Sequence, residues 1–402
     1  ECEPLLRVDQ QLMQTEAAKL VSGLRAAMQA TAARDGIIAL KGKYEKAIAV
    51  LQKTIIGLPI RLKILNDFYP AGDEHITVYE TTGKLVPQGG IPINVQCVVS
   101  NIETLLNISD AVSGIPVTHT WVTITGDVPN PITARLPIGM AVSDVLALAG
   151  RTDTSGVCII EGGPMMGKVV DNPDHPITKT TKGFIVLPVH HLLVQRRFQP
   201  IKTIIRQAQT ACMQCRFCTD LCPRYLLGHH IEPHRIMRSI KYMDLSSQVL
   251  RMAFACSECG ACEYACIMGL SPRAVNIMVK KELMKSGVKP DHASDQQSPH
   301  MLQSERHIPV KRLIARLGLS PYDRHAPLMT SMVSPNRVRI RLKQHVGVPC
   351  KATVSVGQQV SAGDEVGAVP NDMLGASIHA SIDGTVSTIT EEYIEIVSAK
   401  ER

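Results

Sequence analysis

Two stretches decide how this chain is read: Cys212-Met213-Gln214-Cys215-Arg216-Phe217-Cys218-Thr219-Asp220-Leu221-Cys222-Pro223 and Cys256-Ser257-Glu258-Cys259-Gly260-Ala261-Cys262-Glu263-Tyr264-Ala265-Cys266. Both separate their cysteines by two, two and three residues, and together they hold eight of the twelve cysteines. Three cysteines at this spacing can curl around one face of an iron–sulfur cubane, each thiolate taking one iron. The fourth lies too far along its run to reach the same cubane easily and normally ligates the other one. The spacing therefore assigns Cys212, Cys215, Cys218 and Cys266 to one [4Fe–4S] cluster. Cys256, Cys259, Cys262 and Cys222 are assigned to a second. The expected role is to carry electrons singly.

This spacing resembles that of bacterial ferredoxins with two clusters. Structural zinc sites would need only Cys-x2-Cys pairs, leaving half of these cysteines surplus. A disulfide framework suits small secreted domains, not a 402-residue chain with two tight cysteine runs. Pro223 follows the first run, whereas Ile267 stands where the second would usually have proline. Proline fixes the backbone and is not a ligand, so cluster loading is expected to survive.

The length suggests two to four domains. Hydrophobic content is ordinary at 45%, but aromatics are only 3%, so the cores must use aliphatic residues and the 16 methionines. The net charge of +7 is spread without a long basic block. A basic stripe with stacking aromatics is missing, so no nucleic-acid partner is expected. The longest apolar stretch, near 183–194, contains Pro188, His190 and His191 and is far short of about 20 residues. No membrane span or signal peptide is expected, and thiolate-rich motifs point to a reducing cytoplasm. The chain opens at Glu1 without methionine, so an upstream segment is expected.

Periodicity predicts a helix over 12–33, a strand at 36–40, a helix at 44–56 and a strand at 60–65, the alternation of a parallel α/β layer. Residues 70–92 read as loop, and a helix is predicted at 101–112. Short strands at 119–126 and 157–160 around a helix at 141–149 read as a small α+β module. Helices are expected at 231–239 and 274–284, and an all-β tail from about 338. The expected units are 1–115, a partial Rossmann-like α/β domain; 116–199, the α+β module and a connector; 200–285, the helical cluster domain; 286–337, a linker; and 338–402, a β module.

Four further motifs carry a resemblance. Glu1-Cys2-Glu3-Pro4-Leu5-Leu6, Tyr69-Pro70-Ala71-Gly72-Asp73-Glu74, Val86-Pro87-Gln88-Gly89-Gly90-Ile91-Pro92 and Ser100-Asn101-Ile102-Glu103-Thr104-Leu105 occur in this order. They resemble the characteristic loops of the RnfC and complex I 51-kDa family of flavin and iron–sulfur proteins. The resemblance implies FMN as cofactor and NADH as donor. A flavin accepts a hydride and releases single electrons, which clusters can take. It further implies that Gly72, Asp73, Glu74, Asn101 and Thr104 line the flavin and nicotinamide pocket, with Glu1 and Glu3 beside it. On a purely structural reading, Gly72 and Gly90 are turn glycines and Asn101 is a helix cap. The family's glycine-rich phosphate loop lies upstream of the position of Glu1, so FMN binding by this stretch alone is an open expectation.

Residues 116–170, with Glu161-Gly162-Gly163-Pro164-Met165-Met166-Gly167, resemble the SLBB β-grasp module. Met165 and Met166 read as packing residues. Residues 344–386 resemble a barrel-sandwich hybrid of the lipoyl-carrier type, but no lysine lies between Lys351 and Lys400 to carry a swinging arm. RnfC proteins have this module at the N-terminus. Its position after the clusters resembles the order in PduS-type cobalamin reductases. That likeness implies electron flow from NADH through FMN and two [4Fe–4S] clusters to a corrinoid. It also implies an adenosyltransferase and a shell protein as partners, inside a bacterial microcompartment. The alternatives are an RnfC-like subunit of a membrane complex and a non-catalytic iron–sulfur relay. His229, His230 and His234 read as surface or supporting residues. Cys2, Cys97, Cys158 and Cys350 read as apolar positions, Cys2 beside the flavin loop.

Overall fold

The structure is a computed structural model that describes residues 2–290 and 298–398. Helices α1 (Val8–Thr15) and α2 (Ala17–Thr31) take the place of the single helix predicted at 12–33, with the break at Glu16. Strand β1 (Gly36–Lys41), helix α3 (Glu45–Thr54) and strand β2 (Ile60–Leu65) follow, and β1 pairs with β2 in parallel. Leu12, Leu20, Ile38, Ala47 and Leu51 close one apolar core between them. Strand β3 (Phe68–Tyr69) leads into helix α4 (Glu74–Thr82), inside the stretch expected to be loop. Asp73 starts this helix by accepting the amides of His75 and Ile76, and Gly83 ends it at φ 74°.

Helix α5 (Ile102–Val112) lies across α2. Their closest approach is at Gly23, where a Cβ would stand 1.8 Å from the Leu105 carbonyl oxygen. Gly23→Ala therefore forces two helices apart. The overpacking outweighs alanine's better helix propensity, and a net loss of about 2 kcal/mol is expected in urea unfolding.

Strands β4 (His119–Gly126) and β5 (Ile132–Pro137), helix α6 (Val142–Leu148), and strands β6 (Val157–Glu161), β7 (Lys168–Val169) and β8 (Gly183–Pro188) form the next unit. Their sheet has the order β5-β4-β8-β6-β7, with β4 and β8 parallel. The connector expected up to residue 199 thus supplies the central strand. Its run Phe184-Ile185-Val186-Leu187 is fully buried, which a strand covered on both faces requires.

Ten short elements carry the cysteine runs and the chain into and out of them. These are α7 (Leu192–Arg197), α8 (Ile201–Ala211), α9 (Phe217–Asp220), α10 (Pro223–Leu226), α11 (Pro233–Ser239), α12 (Gln248–Arg251), α13 (Ala261–Ala265), α14 (Pro272–Lys285), β9 (Ile308–Pro309) and α15 (Val310–Arg316). Ile236, Leu250, Val275, Val279 and Leu283 close a helical core around the runs. The stretch 286–337 is not a linker over its described 308–319 part. Strand β9 pairs with β3, and Leu313, Ile314, Leu317 and Leu319 are buried. They join Leu193 and Val194 in one core, so the cysteine-bearing segment leaves and re-enters the body at the same place.

Strands β10 (Arg337–Arg341), β11 (Lys351–Ala352), β12 (Gln359–Val360), β13 (Glu365–Ala368), β14 (Ile378–His379), β15 (Gly384–Ile389) and β16 (Tyr393–Val397) form two facing sheets, β10-β16-β15-β12 and β11-β13-β14. Val338, Ile340, Val366, Val386, Ile394 and Ile396 fill the space between them. Ser381 Oγ donates to Ile138 O at 2.6 Å, seating this unit on the five-stranded one. Among the described residues no helix is long and apolar enough to cross a membrane.

Candidate metal centres

Each cysteine run is folded by the same backbone device. Gln214 and Arg216 have φ of 55° and 70°, and Glu258 and Gly260 have 60° and 80°, at matching places in the two runs. Two left-handed residues flanking the second cysteine curl the chain so that thiols and amides face one side. A short helix then carries the third cysteine: α9 holds Cys218 and α13 holds Cys262. Only one of these four positions is glycine. At Gly260 a Cβ would also stand 3.1 Å from Met165 Cε, whereas Arg216 projects an exposed side chain.

The fold groups the thiols in two sets of four. Burial first, and then the charges of Cys212, Cys266 and Cys215, push Cys218 up to about 12. Burial and then Cys259 push Cys222 up, with Cys256 adding to it. Burial pushes Cys262 well up, and Cys256, Cys259 and Cys222 reinforce it. Cys259 rises to about 11. Cys266 thus sits with the first run and Cys222 with the second, the arrangement that crossed ligation requires. Among the described residues no three His, Cys, Asp or Glu side chains are grouped closely enough to hold a single ion. A cubane asks for a wider set, one thiolate per iron.

The donor set fits such a group. Buried thiols that crowd one another cannot all ionise alone, and coordinated iron takes them as thiolates. Their sulfurs already meet donors. Gln214 Nε2 donates to Cys212 Sγ at 3.1 Å, the Glu258 amide to Cys256 Sγ at 3.3 Å and Asn276 Nδ2 to Cys256 Sγ at 3.6 Å. Such bonds stabilise negative charge on sulfur and tune a cluster's potential. The loop carbonyls are held too: Arg273 Nε donates to Glu258 O at 2.7 Å and Arg316 Nη2 to Cys266 O at 3.1 Å.

The residues implied for the flavin divide into two kinds. Glu1 lies outside the described residues. Glu3 accepts the Met165 and Met166 amides at 2.9 Å each. Burial pushes its carboxyl up to about 7, against the pull of those amides and of Arg197 and Arg273. Asp73 caps α4 and pairs with Arg224, Nη2 to Oδ2 at 3.0 Å and Nη1 to Oδ1 at 3.0 Å. Gly72 leaves room for Cys2, whose Cβ would lie 2.8 Å from an added methyl. Glu3 and Asp73 are therefore ties between units. Gly72, Glu74, Asn101 and Thr104 are exposed, and Asn101 caps α5 through the Glu103 amide at 3.0 Å. Among the described residues no side-chain hydrogen bond or ion pair joins Asn101 or Thr104 to the Gly72–Glu74 loop.

Two residues to which the sequence reading gave no role in the site complete the junction. Tyr69, buried, donates its hydroxyl to Cys259 O at 2.6 Å. Arg224 follows Cys222 and Pro223 and reaches Asp73. The signals were Tyr69's place at the head of the 69–74 motif and Arg224's place behind a cysteine run.

His75 and His229 meet edge to face beside Arg224, ring centroids 5.3 Å apart. Burial first, and then the Arg224 charge, hold each down at about 4. Below the ordinary histidine range of about 6.5 the unfolded chain binds protons that the folded one refuses. Stability is therefore expected to fall as pH drops from about 6.5 toward 4, read as a falling urea midpoint, and His75→Gln should flatten this slope.

Residues 1–110 match the Nuo51 FMN-binding domain, 211–271 the 4Fe-4S dicluster domain and 322–401 the RnfC Barrel sandwich hybrid domain. The Cobalamin reductase PduS of Salmonella typhimurium is 47% identical over 99% of this chain and 88% of its own. The chain belongs to the PduS cobalamin reductase family. The PduS of Citrobacter freundii is 45% identical over the same shares. A component of the Na(+)-translocating ferredoxin:NAD(+) oxidoreductase complex of Acetobacterium woodii is 32% identical over 56% of this chain and 49% of its own. As a PduS family member the chain joins an FMN-binding domain to a two-cluster domain, with the barrel-sandwich unit last.

Proposed function

We propose that this chain is an NADH-dependent cobalamin reductase that passes electrons through FMN and two [4Fe–4S] clusters to corrinoid cobalt. The observation that carries the reading is the buried bond from Tyr69 in the flavin-loop motif to the backbone of Cys259. When bound, the flavin takes electrons as a pair and the clusters hand them on singly. Cys256, Cys259, Cys262 and Cys222 hold the cluster beside the flavin loop. Cys212, Cys215, Cys218 and Cys266 hold the outer one, where Cys215 is exposed. Gly72, Glu74, Asn101 and Thr104 face the flavin and nicotinamide, while Glu3 and Asp73 fix the surrounding loops.

The mixed sheet with α6 supports an SLBB β-grasp unit at 116–199. The two facing sheets after residue 337 support a lipoyl-like barrel-sandwich unit, and no lysine between Lys351 and Lys400 is there to carry a swinging arm. Family membership supports an adenosyltransferase and a microcompartment shell protein as partners, and a place inside the microcompartment.

Anaerobic reconstitution with iron, sulfide and FMN tests the function. Roughly eight irons per chain are expected. NADH should bleach the flavin, develop the cluster EPR signals and reduce aquocobalamin. A cluster-loaded, flavin-loaded protein that leaves aquocobalamin untouched under NADH would sink this reading.

A further inference from the structure

The thiol set that reaches the surface has exposed apolar side chains next to its cysteines in the chain, and the relay does not use them. Of the eight cysteines in the two runs, Cys215 alone is exposed. Met213 follows Cys212, Phe217 lies between Cys215 and Cys218, and Ile267 and Met268 follow Cys266. These four side chains are 59%, 47%, 52% and 49% exposed. The matching positions of the inner set are small or covered: Ser257 follows Cys256, and both Ala261 and Pro223 are buried. The departure from proline at Ile267 thus adds apolar surface on the outer side only.

Large apolar side chains gathered at one exposed spot mark an interaction surface. Arginines border it, with one carboxylate among them, Asp220, which meets Arg216 at 3.4 Å and Arg306 at 3.2 Å. Arg216 projects from the same loop, Arg316 holds the Cys266 carbonyl, and Arg196 lies 3.4 Å from where a Cβ on Gly269 would stand. A cavity of about 380 Å³ lies elsewhere, between Asp127, Arg151 and Arg324, and suits molecules smaller than a macrocycle.

We propose that this rim docks the corrinoid itself. The apolar edge of the ring packs on Met213, Phe217 and Ile267, and the phosphodiester of the nucleotide loop faces Arg216 and Arg316. The inference rests on the cobalamin reductase reading above. Each encounter delivers one electron, drawn in the end from NADH; Co(III) becomes Co(II), the axial water leaves to solvent, and no proton moves at the rim.

The test uses the reconstituted full chain with aquocobalamin as probe. In Met213→Ser/Phe217→Ser/Ile267→Ser, aquocobalamin binding to the oxidised protein should weaken about tenfold and its KM rise in step. Iron content, EPR signals and NADH–hexacyanoferrate(III) turnover should match the wild type. The milder Phe217→Ser should weaken binding about threefold. Arg216→Gln should lower the salt dependence of binding. Unchanged aquocobalamin binding in the triple variant overturns the proposal, as it would if the rim served an acidic protein carrier. So does a loss shared with hexacyanoferrate(III) or with iron content. A wild type inert to aquocobalamin under NADH fails the cobalamin reductase reading instead.

Discussion

Replacing Cys222 with alanine is expected to empty the metal site built on the other cysteine run. Cys222 is buried against Cys259 and Cys256, and the first run keeps its own set through Cys266. Iron should fall from roughly eight to roughly four per chain, with the EPR signal of one cluster lost and the other kept. The surviving cluster would be the outer one. NADH should then reduce the flavin and leave that cluster oxidised. Cys266→Ala gives the mirror image, a flavin-linked inner cluster that still fills with electrons and a protein that no longer passes them on. If Cys222→Ala instead removes the signal assigned to Cys212, Cys215 and Cys218, ligation does not cross.

The second large effect is expected at Arg224. Its guanidinium and the Asp73 carboxylate are only 12% and 13% exposed. Removing one member of a nearly buried pair strands the other, which costs about 3 kcal/mol. Arg224→Ala should therefore lower the urea midpoint strongly. Asp73→Asn keeps an oxygen to cap α4 and should cost less, about 2 kcal/mol. Loss of the Arg224 charge also relieves His75 and His229, so the further stability lost between about pH 6.5 and 4 should be smaller in Arg224→Ala than in the wild type. Rapid mixing with NADH separates stability from function. Flavin bleaching should keep its rate while cluster reduction slows, because the variant loosens a junction then held by the Tyr69–Cys259, His229–Val86 and His230–Gln88 bonds.

Parts of this architecture were legible because the local signal and the tertiary role agree. The β1–β2 pair follows from apolar runs separated by an amphipathic helix. That both cysteine runs fold alike follows from their equal spacing, since the same backbone turn serves each. Helix α4 was missed because His75-Ile76-Thr77-Val78-Tyr79 is rich in β-branched residues and glycines surround it; only Asp73 and Gly83, its caps, announce it. Strand β8 is a continuous apolar run, which periodicity cannot separate from a connector. Val310, Leu313, Ile314 and Leu317 do repeat at helical spacing, but polar neighbours on the N-terminal side hid them. The site's ties were illegible for another reason. Tyr69 reaches a main-chain carbonyl 190 residues away, and Arg224 a carboxylate 151 residues away. A bond to backbone at such separation leaves no pattern in sequence.

The cysteine-bearing segment departs after Val194 and returns at Ile308, both within one core, with β9 laid against the strand that ends in Tyr69. The Tyr69–Cys259 and Arg224–Asp73 bonds then fasten its middle to the same body, so the segment is sewn down at its ends and at its inner thiol set. With the inner set nearer the flavin loop, as proposed above, the two centres would act as a series circuit, in which the slower step sets the current for both.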